Sequence, residues 1–466
     1  MKIKFGTDGW RAIIAQEFTV DNVKRVAEGT ALWMKSKGFS KIVIGHDTRF
    51  AGRLFAEATA QVMGSHGIKV FLGKGFVSTP MVSLGNVKLG ADLGVIITAS
   101  HNPPAYNGYK LKSNLGGPSV PADISAVEAM IPDNVPSQYL PSIEEMKAKG
   151  LLEDVDLEQI YIDHVEANFD LALMKNSGLK FAYDAMYGAG QNVIKRLFPE
   201  ATKFHCEVDP SFKGQAPEPI EKNLKEIIAY LKSHDGYAFG LINDGDADRI
   251  GMFDGKGNFV DSHHLLLLLT YYMVEYKKYT GQIVVSFSAT GKLKKMAELY
   301  GLGYQVTPIG FKYIAEIMAT EDVVVGGEES GGLSVKGHIP ERDGIWMGLL
   351  VMEFMAKTGK SLPQLIQDVY DKVGTFYFQR DDLHLAEELK LRIVENCKNG
   401  VYKAFGPYNI VRTDDLDGFK YYFNDDEWVM IRASGTEPLL RIYSEAKTKE
   451  NCRSILDAVQ ATLLKA

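Results

Sequence analysis

Three short polar stretches carry residues whose types and spacing could do chemistry. Thr98-Ala99-Ser100-His101-Asn102-Pro103-Pro104 sets a hydroxyl beside an imidazole. Asp244-Gly245-Asp246-Ala247-Asp248-Arg249 sets three carboxylates at alternate positions with small residues between. Small spacers let the backbone curl until the carboxylates converge on one hard cation. Oxygen-only ligands favour Mg²⁺, Mn²⁺ or Ca²⁺ over zinc. A helix-loop-helix calcium loop is excluded, because its sixth position would be Arg249 rather than glycine and its twelfth Gly255 rather than glutamate. Gly326-Gly327-Glu328-Glu329-Ser330-Gly331-Gly332 adds a carboxylate and a hydroxyl on a pliable loop. A serine, a carboxylate cluster and a hydroxyl/carboxylate pair read together as the parts that one phosphoryl-transfer site would need.

Two further stretches belong with these. In Tyr106-Asn107-Gly108-Tyr109-Lys110 the Asn-Gly pair reads as a turn that would bring Lys110 back toward Ser100, to act as acid/base or to steady a phosphate. Arg432-Ala433-Ser434-Gly435-Thr436-Glu437-Pro438-Leu439-Leu440-Arg441 is a hydroxyl- and glycine-rich loop between two arginines. Exposed amides, hydroxyls and guanidinium forks suit an oxyanion. The ordinary readings of such stretches are a surface turn, a solvated acidic turn and a hairpin. Position argues against them, because the first three follow apolar runs, and α/β sheets bind ligands at the carboxyl ends of their strands. There is no G-x-S-x-G elbow, so a hydrolase triad is not indicated. Gly359-Lys360-Ser361 ends like a phosphate-binding loop, but position 354 is Phe. His263-His264 read as a helix start, and Trp346, Met347 and Met352 as core.

The elements that must hold these loops alternate. Leu93-Gly94-Val95-Ile96-Ile97, Phe239-Gly240-Leu241-Ile242 and Val323-Val324-Val325 read as buried strands, and the two prolines after His101 stop the first from continuing. Strand, helix and strand at 41–45, 53–66 and 68–72 make a βαβ pattern, hence a largely parallel sheet covered by helices. The pattern restarts near Leu179 and again at Gln282. Residues 131–142, rich in Pro, Asn and Ser, read as a connection. After about Gly374 short aromatic and charged runs, with helices at 383–396 and the C-terminus, predict a smaller α+β domain with an antiparallel sheet. The expected domains are 1–150, 151–257, 258–373 and 374–466.

Composition bounds the partners. The 466 residues, 45% hydrophobic and 24% charged, are ample for several cores. A net charge of −7 argues against a general nucleic-acid or acidic-membrane binder, but not against a local phosphate pocket. Cys206, Cys397 and Cys452 are far apart and form neither a disulfide framework nor a zinc site. The apolar run 265–274 is about half a membrane span, so a buried helix is expected. Without a signal-peptide pattern at its start, the chain is expected in the reducing cytoplasm.

With these loops in place, the chain resembles the α-D-phosphohexomutase superfamily along nearly its whole length. Phe5-Gly6-Thr7-Asp8-Gly9-Trp10-Arg11 resembles its N-terminal motif, Thr98 to Pro103 its phosphoserine loop, and Asp244 to Arg249 its magnesium loop. Gly327 to Gly331 resembles its sugar-specificity loop, and Arg432 to Arg441 its phosphate loop. The resemblance implies three related α/β domains and a C-terminal α+β domain around a central cleft. It implies a phosphorylated Ser100, with Mg²⁺ between Asp244, Asp246, Asp248 and the phosphoserine. It also implies interconversion of hexose 1- and 6-phosphates through a hexose 1,6-bisphosphate, with glucose 1,6-bisphosphate as activator. Arg11, His101, Lys110 and Arg249 would serve the chemistry, with Lys110 as acid/base. Glu328 and Ser330 would hold the sugar. Arg432, Ser434, Gly435, Thr436 and Arg441 would grip the phosphate that is not reacting, with Lys312 and Arg342 as lesser contacts.

The sequence departs from the family pattern in two places. Ala247 stands where many relatives have glycine, a small residue expected to do no harm. The sugar loop reads Glu-Glu-Ser-Gly-Gly rather than Glu-x-Ser-Gly-His, which resembles glucose-preferring members; phosphomannomutase and phosphoglucosamine mutase are the alternatives. A magnesium-dependent sugar phosphatase is the competing class, and a non-catalytic sugar-phosphate binder a third. The expected partner is a small hexose phosphate, with neither nucleic acid nor membrane, and the expected assembly a monomer or homodimer.

Overall fold

The apolar run before the serine, Leu93–Ile97, is a strand buried along its whole length. The computed structural model describes residues 2–6, 8–433 and 439–465. Leu93–Ile97 sits inside a six-stranded sheet of order Trp10–Ile13, Tyr106–Ser113, Leu93–Ile97, Lys41–His46, Lys69–Gly73, Leu152–Val155. Lys41–His46 pairs in parallel with Lys69–Gly73 and Leu93–Ile97, through the helices Gly52–Ser65 and Thr79–Lys88. The expected βαβ pattern is therefore present, and the sheet is mixed. Tyr106–Ser113 runs antiparallel to Leu93–Ile97 and to Trp10–Ile13. Helix Val20–Ser36 starts at Thr19, whose side chain accepts from the Asn22 N–H, a capping bond that satisfies one of the orphan donors of the first turn.

The chain divides into two units, residues 1–281 with 310–365, and residues 282–309 with 366–466. The first unit holds two more strand assemblies. Phe181–Asp184 lies parallel to Thr202–Phe204 and to Phe239–Asn243, and Phe239–Asn243 lies antiparallel to Ile250–Asp254. The three-aspartate loop is thus the hairpin connection between two buried strands, closed by the Asn243–Ile250 pair. Val323–Gly327 likewise returns antiparallel through Leu333–Val335, and Glu328 to Gly332 form that connection. The run 265–274 lies in helix Ser262–Glu275, eleven of whose residues are buried. Among the described residues no helix is long and apolar enough to cross a membrane.

In the second unit, Gln282–Ser286 and Gly303–Thr307 pair in parallel across helix Lys292–Tyr300. The C-terminal sheet is antiparallel, as expected. Its order is Tyr377–His384, Leu439–Ala446, Trp428–Ala433, Phe419–Tyr422, Arg412–Asp414. Helices Glu387–Lys398 and Lys449–Leu463 cover one face, with Ile393, Val429, Ile431, Ile442, Ile455 and Val459 wholly or almost wholly buried between. The helix expected from 383 begins at Glu387, because Leu383 and His384 still pair with Leu440 and Leu439.

Candidate active site

Ser100 stands just beyond its strand in a left-handed conformation, φ +52°. That conformation costs an L-residue about 1–2 kcal/mol. Its N–H donates to Thr98 Oγ1 at 2.9 Å. Its hydroxyl donates to Asp244 Oδ2 at 2.7 Å and lies 3.2 Å from His101 Nδ1. The two loops meet because position 245 is glycine: a Cβ there would stand 2.6 Å from the Ser100 carbonyl oxygen. Ala247 is left-handed, φ +56°, so alanine at that position carries a backbone cost that glycine would not.

Asp244, Asp246 and Asp248 are fully buried, and one oxygen from each lies within 4.8 Å of the others. Burial, then the Asp246 and Asp248 charges, push Asp244 well above the ordinary carboxylate range. Burial works the same way on Asp246, but Lys110, by charge and hydrogen bond, and Thr79 hold it below that range. Asp246 Oδ2 accepts from Lys110 Nζ at 2.8 Å and from Thr79 Oγ1 at 2.6 Å. Asp246 Oδ1 and Asp248 Oδ1 are buried without a hydrogen-bond partner. Buried carboxylate oxygens left unpaired are costly, and three carboxylates this close together suit a hard divalent cation. The residues fit Mg²⁺.

Lys110 reaches this cluster by a route other than the expected one. Asn107-Gly108 is not a turn; it lies inside strand Tyr106–Ser113, and antiparallel pairing of Lys110 with Ile96 does the work. The turn lies earlier, where the Tyr106 N–H donates to the Pro103 carbonyl at 3.0 Å. Lys110 Nζ meets Asp246, Asp248 (3.2 Å) and Asp8 (2.9 Å). Burial opposes its charge, but the three carboxylates outweigh burial and raise its pKa. In this arrangement its ammonium is held by the three carboxylates.

Arg342 spans the same anions, at 2.8 Å from Asp8 and 2.6 Å from Asp248. Arg11 donates to Asn102 Oδ1 at 2.7 Å and to Asp8 Oδ2 at 3.1 Å. Arg249 donates its backbone N–H to Asp244 Oδ1, and its Nε is buried without a hydrogen-bond partner. Burial, then the Arg249 and Arg11 charges, lower His101 well below the usual imidazole value. Lys312 is not drawn in: its amine lies 5.1 Å from the Tyr313 ring, and no hydrogen bond or ion pair joins it to the carboxylates among the described residues. Asp8 and Thr79 were not anticipated as separate contributors. Asp8 stands inside the Phe5–Arg11 motif, where its carboxylate could have been noticed. Thr79 carries no signal beyond a helix start.

The Glu328 loop touches this assembly through the Ile250 N–H, which donates to the Gly331 carbonyl at 3.0 Å. Ser330 lies in the same connection. Glu328 is buried, and its Oε1 accepts from the Gly310 N–H at 2.8 Å. Burial pushes its pKa from 4.5 up to about 7, against the pull of Arg342. The folded state therefore holds this proton more tightly than the unfolded chain. Stability from this group is full below about pH 4.5 and is lost as pH rises through about 7. The Glu328→Gln variant is expected to match the wild type in melting temperature near pH 5. It should then gain by up to about 1.4 kcal/mol per pH unit toward neutrality. A gap that stays flat from pH 5 to pH 8 would show that Glu328 is ionised throughout.

In the second unit, Arg432 and Arg441 are directly opposed in the antiparallel pair, so their side chains share one face. Arg432 Nε donates to Asp417 Oδ1 at 3.0 Å, and Arg441 Nε lies 4.0 Å from Asp382 Oδ1. Ser434, Gly435 and Thr436 lie outside the described residues.

Four family models match the chain in succession. They describe phosphoglucomutase/phosphomannomutase alpha/beta/alpha domain I at residues 2–136, domain II at 159–257, domain III at 261–373 and the C-terminal domain at 387–462. A Thermococcus kodakarensis protein named phosphoglucomutase/phosphomannomutase is 29% identical, over 97% of this chain and 96% of its own. A Methanococcus maripaludis phosphoglucosamine mutase is 31% identical, over 90% of this chain and 91% of its own. A solved structure from Thermus thermophilus, provisionally named a phosphomannomutase, is 34% identical with a TM-score of 0.87, covering 100% of both chains.

Proposed function

The chain belongs to the phosphoglucomutase/phosphomannomutase family of α-D-phosphohexomutases, intramolecular phosphotransferases, and from that premise we propose that it interconverts hexose 1- and 6-phosphates through a phosphorylated Ser100. The observation that carries this reading is the 2.7 Å hydrogen bond from the Ser100 hydroxyl to the buried three-carboxylate cluster.

Phosphoserine 100 gives its phosphoryl group to the free hydroxyl of a hexose monophosphate. The O–P bond to the serine breaks, one to the sugar forms, and the proton of the attacking sugar hydroxyl ends on the released serine oxygen. The resulting bisphosphate turns over, and Ser100 takes the other phosphoryl group. Such transfers need positioning and charge neutralisation above all. Mg²⁺, held by Asp244, Asp246 and Asp248, would neutralise charge on the transferring oxygens. Lys110, Arg11 and Arg249 add fixed positive charge around Ser100. His101 Nδ1, 3.2 Å from the serine hydroxyl, can accept its proton when Ser100 takes up the other phosphoryl group. Glu328 and Ser330 orient sugar hydroxyls, while Arg432 and Arg441 grip the distal phosphate. The activator is glucose 1,6-bisphosphate, which would load Ser100. All three cysteines are unpaired, which suits a reducing cytoplasm.

Glucose is the proposed sugar, on the Glu-Glu-Ser-Gly-Gly loop at 328–332. The phosphoglucosamine mutase relatives favour glucosamine as a second reading. The test is isomerisation of glucose 1-phosphate with Mg²⁺ and a trace of glucose 1,6-bisphosphate, beside mannose and glucosamine 1-phosphates. Fast turnover of glucose supports the full reading. Turnover of another sugar alone keeps the mechanism and changes the substrate. Phosphate release without isomerisation would establish the phosphatase instead. Arg432→Ala is expected to raise KM about 10- to 100-fold with kcat little changed, the loss of one charge-assisted bond to a phosphate made equally in both states.

A further inference from the structure

The Ser100 loop has an anchor outside the motif that carries the serine. Arg49 follows strand Lys41–His46, and its side chain is fully buried. Nη1 donates to the carbonyls of Pro103 and Tyr106, each at 3.0 Å. Nη2 donates to the carbonyls of Ser100 at 2.6 Å and Asn102 at 2.7 Å. All four acceptors belong to one turn, residues 100–106. The other side of the guanidinium is fixed as well. Its Nε lies 3.4 Å from Asp47 Oδ2, and its plane stands 4.9 Å from the Phe212 ring. Asp47 also accepts the Thr98 hydroxyl at 2.5 Å, and Thr98 Oγ1 in turn accepts the Ser100 N–H at 2.9 Å.

We propose that Arg49 is a positioning residue for phosphoryl transfer at Ser100, clamping the four turn carbonyls so that the serine is held in its left-handed conformation. The inference rests on the mutase reading above. A strained conformation persists only where its surroundings over-determine it, and here one rigid, five-donor fork does so. A lysine could keep the charge but, as a compact ammonium, could not reach four carbonyls in that geometry. A serine freed from the clamp would relax and lose its alignment, and an error of about 1 Å costs about 100-fold in rate. Arg49 does not touch the substrate in this account, so the loss falls on kcat rather than KM.

The test uses the full chain and ³²P-labelled glucose 1,6-bisphosphate, measuring label transfer to Ser100 beside kcat and KM for hexose 1-phosphate. Arg49→Lys is expected to slow labelling and kcat by about 100-fold, with KM within about threefold. Arg49→Ala, which leaves a guanidinium-sized gap, should recover at least about tenfold of the loss with low-millimolar guanidinium and none with urea. If Arg49→Ala does not fold, the Arg49→Lys result decides alone. Labelling of Arg49→Lys within about threefold of wild type, a loss confined to KM, or equal rescue by urea would each overturn the clamp. A wild-type protein that takes no label overturns the mutase reading, and this inference with it; a labelled wild type with an equally labelled Arg49→Lys overturns this inference alone.

Discussion

Ser100→Ala is expected to lower kcat for hexose phosphate isomerisation by about 10⁴-fold or more, and to abolish label uptake from the bisphosphate. The melting temperature should move by no more than a few degrees. The change removes one hydroxyl and leaves the backbone demand at φ +52° as it was, since alanine meets the same penalty as serine there. Asp244 loses one donor but keeps the Arg249 N–H at 3.0 Å. The catalytic loss should be near total because no neighbouring hydroxyl can substitute. Thr98 Oγ1 is given to Asp47 and Thr79 Oγ1 to Asp246, both buried and both committed. Steady-state assays with saturating bisphosphate and intact-protein mass measurement check the two halves together. Activity of Ser100→Ala within about tenfold of wild type would sink the serine-phosphate mechanism.

What could be seen in the sequence, and what could not, divides by range. Ser100 and the three aspartates were legible because each lies within a few residues of an apolar run, and the buried strands Leu93–Ile97 and Phe239–Asn243 fix their loops locally. Glu328 was visible for the same reason, beyond Val323–Gly327. Lys110 was found for the wrong reason. Asn-Gly is a strong turn signal, but here its glycine serves close packing. A Cβ on Gly108 would stand 2.4 Å from the Thr98 carbonyl oxygen, so the pair is needed inside the strand that returns Lys110 to the site. Contacts made across the fold left no local trace. Arg342 meets Asp8 over 334 residues of chain, Thr79 meets Asp246 over 167, and Arg49 meets Ser100 over 51. Each is a single polar residue whose partner is chosen by topology, not by spacing. Ala247 shows the opposite case, since its residue type was noticed but its positive φ could be known only from the structure.

The electrostatics of the cluster follow from the same convergence. Three buried carboxylates would repel one another beyond what folding tolerates unless cations were close. Lys110 and Arg342 supply two, and Asp8 bridges them, held well below its ordinary pKa by both despite its burial. These cations offset part of the repulsion, while Asp246 Oδ1 and Asp248 Oδ1 remain without protein donors. The two oxygens of Asp246 thus have different work. One is anchored by Lys110 and Thr79, and the other is aimed by that anchoring.

Asp246→Asn separates these two tasks and is expected to cut kcat by about 10³-fold. The amide matches the carboxylate in size, so packing is kept. If its oxygen stays with Lys110 and Thr79, an NH₂ group points where a cation should sit and repels it. If it flips, the NH₂ faces the Lys110 ammonium at about 2.8 Å and the anchor is lost. Either outcome removes a negative charge from beside Lys110 and leaves that buried ammonium with Asp248 and Asp8 only. A fall in stability of about 1–3 kcal/mol should accompany the loss of activity. The readouts are distinct. Isothermal titration with Mg²⁺ alone should show weakened binding relative to wild type, and raising Mg²⁺ should recover only part of kcat. Thr79→Val removes one anchoring donor without touching the charge, so it should lower kcat by a smaller factor, about tenfold, with Mg²⁺ affinity reduced in the same direction. Chelation of the wild type with EDTA, followed by Mg²⁺, should abolish and then restore turnover. Unchanged Mg²⁺ affinity in Asp246→Asn would mean that the unpaired carboxylate oxygens do not serve a cation, and that the cluster acts through Lys110 and Arg342 alone.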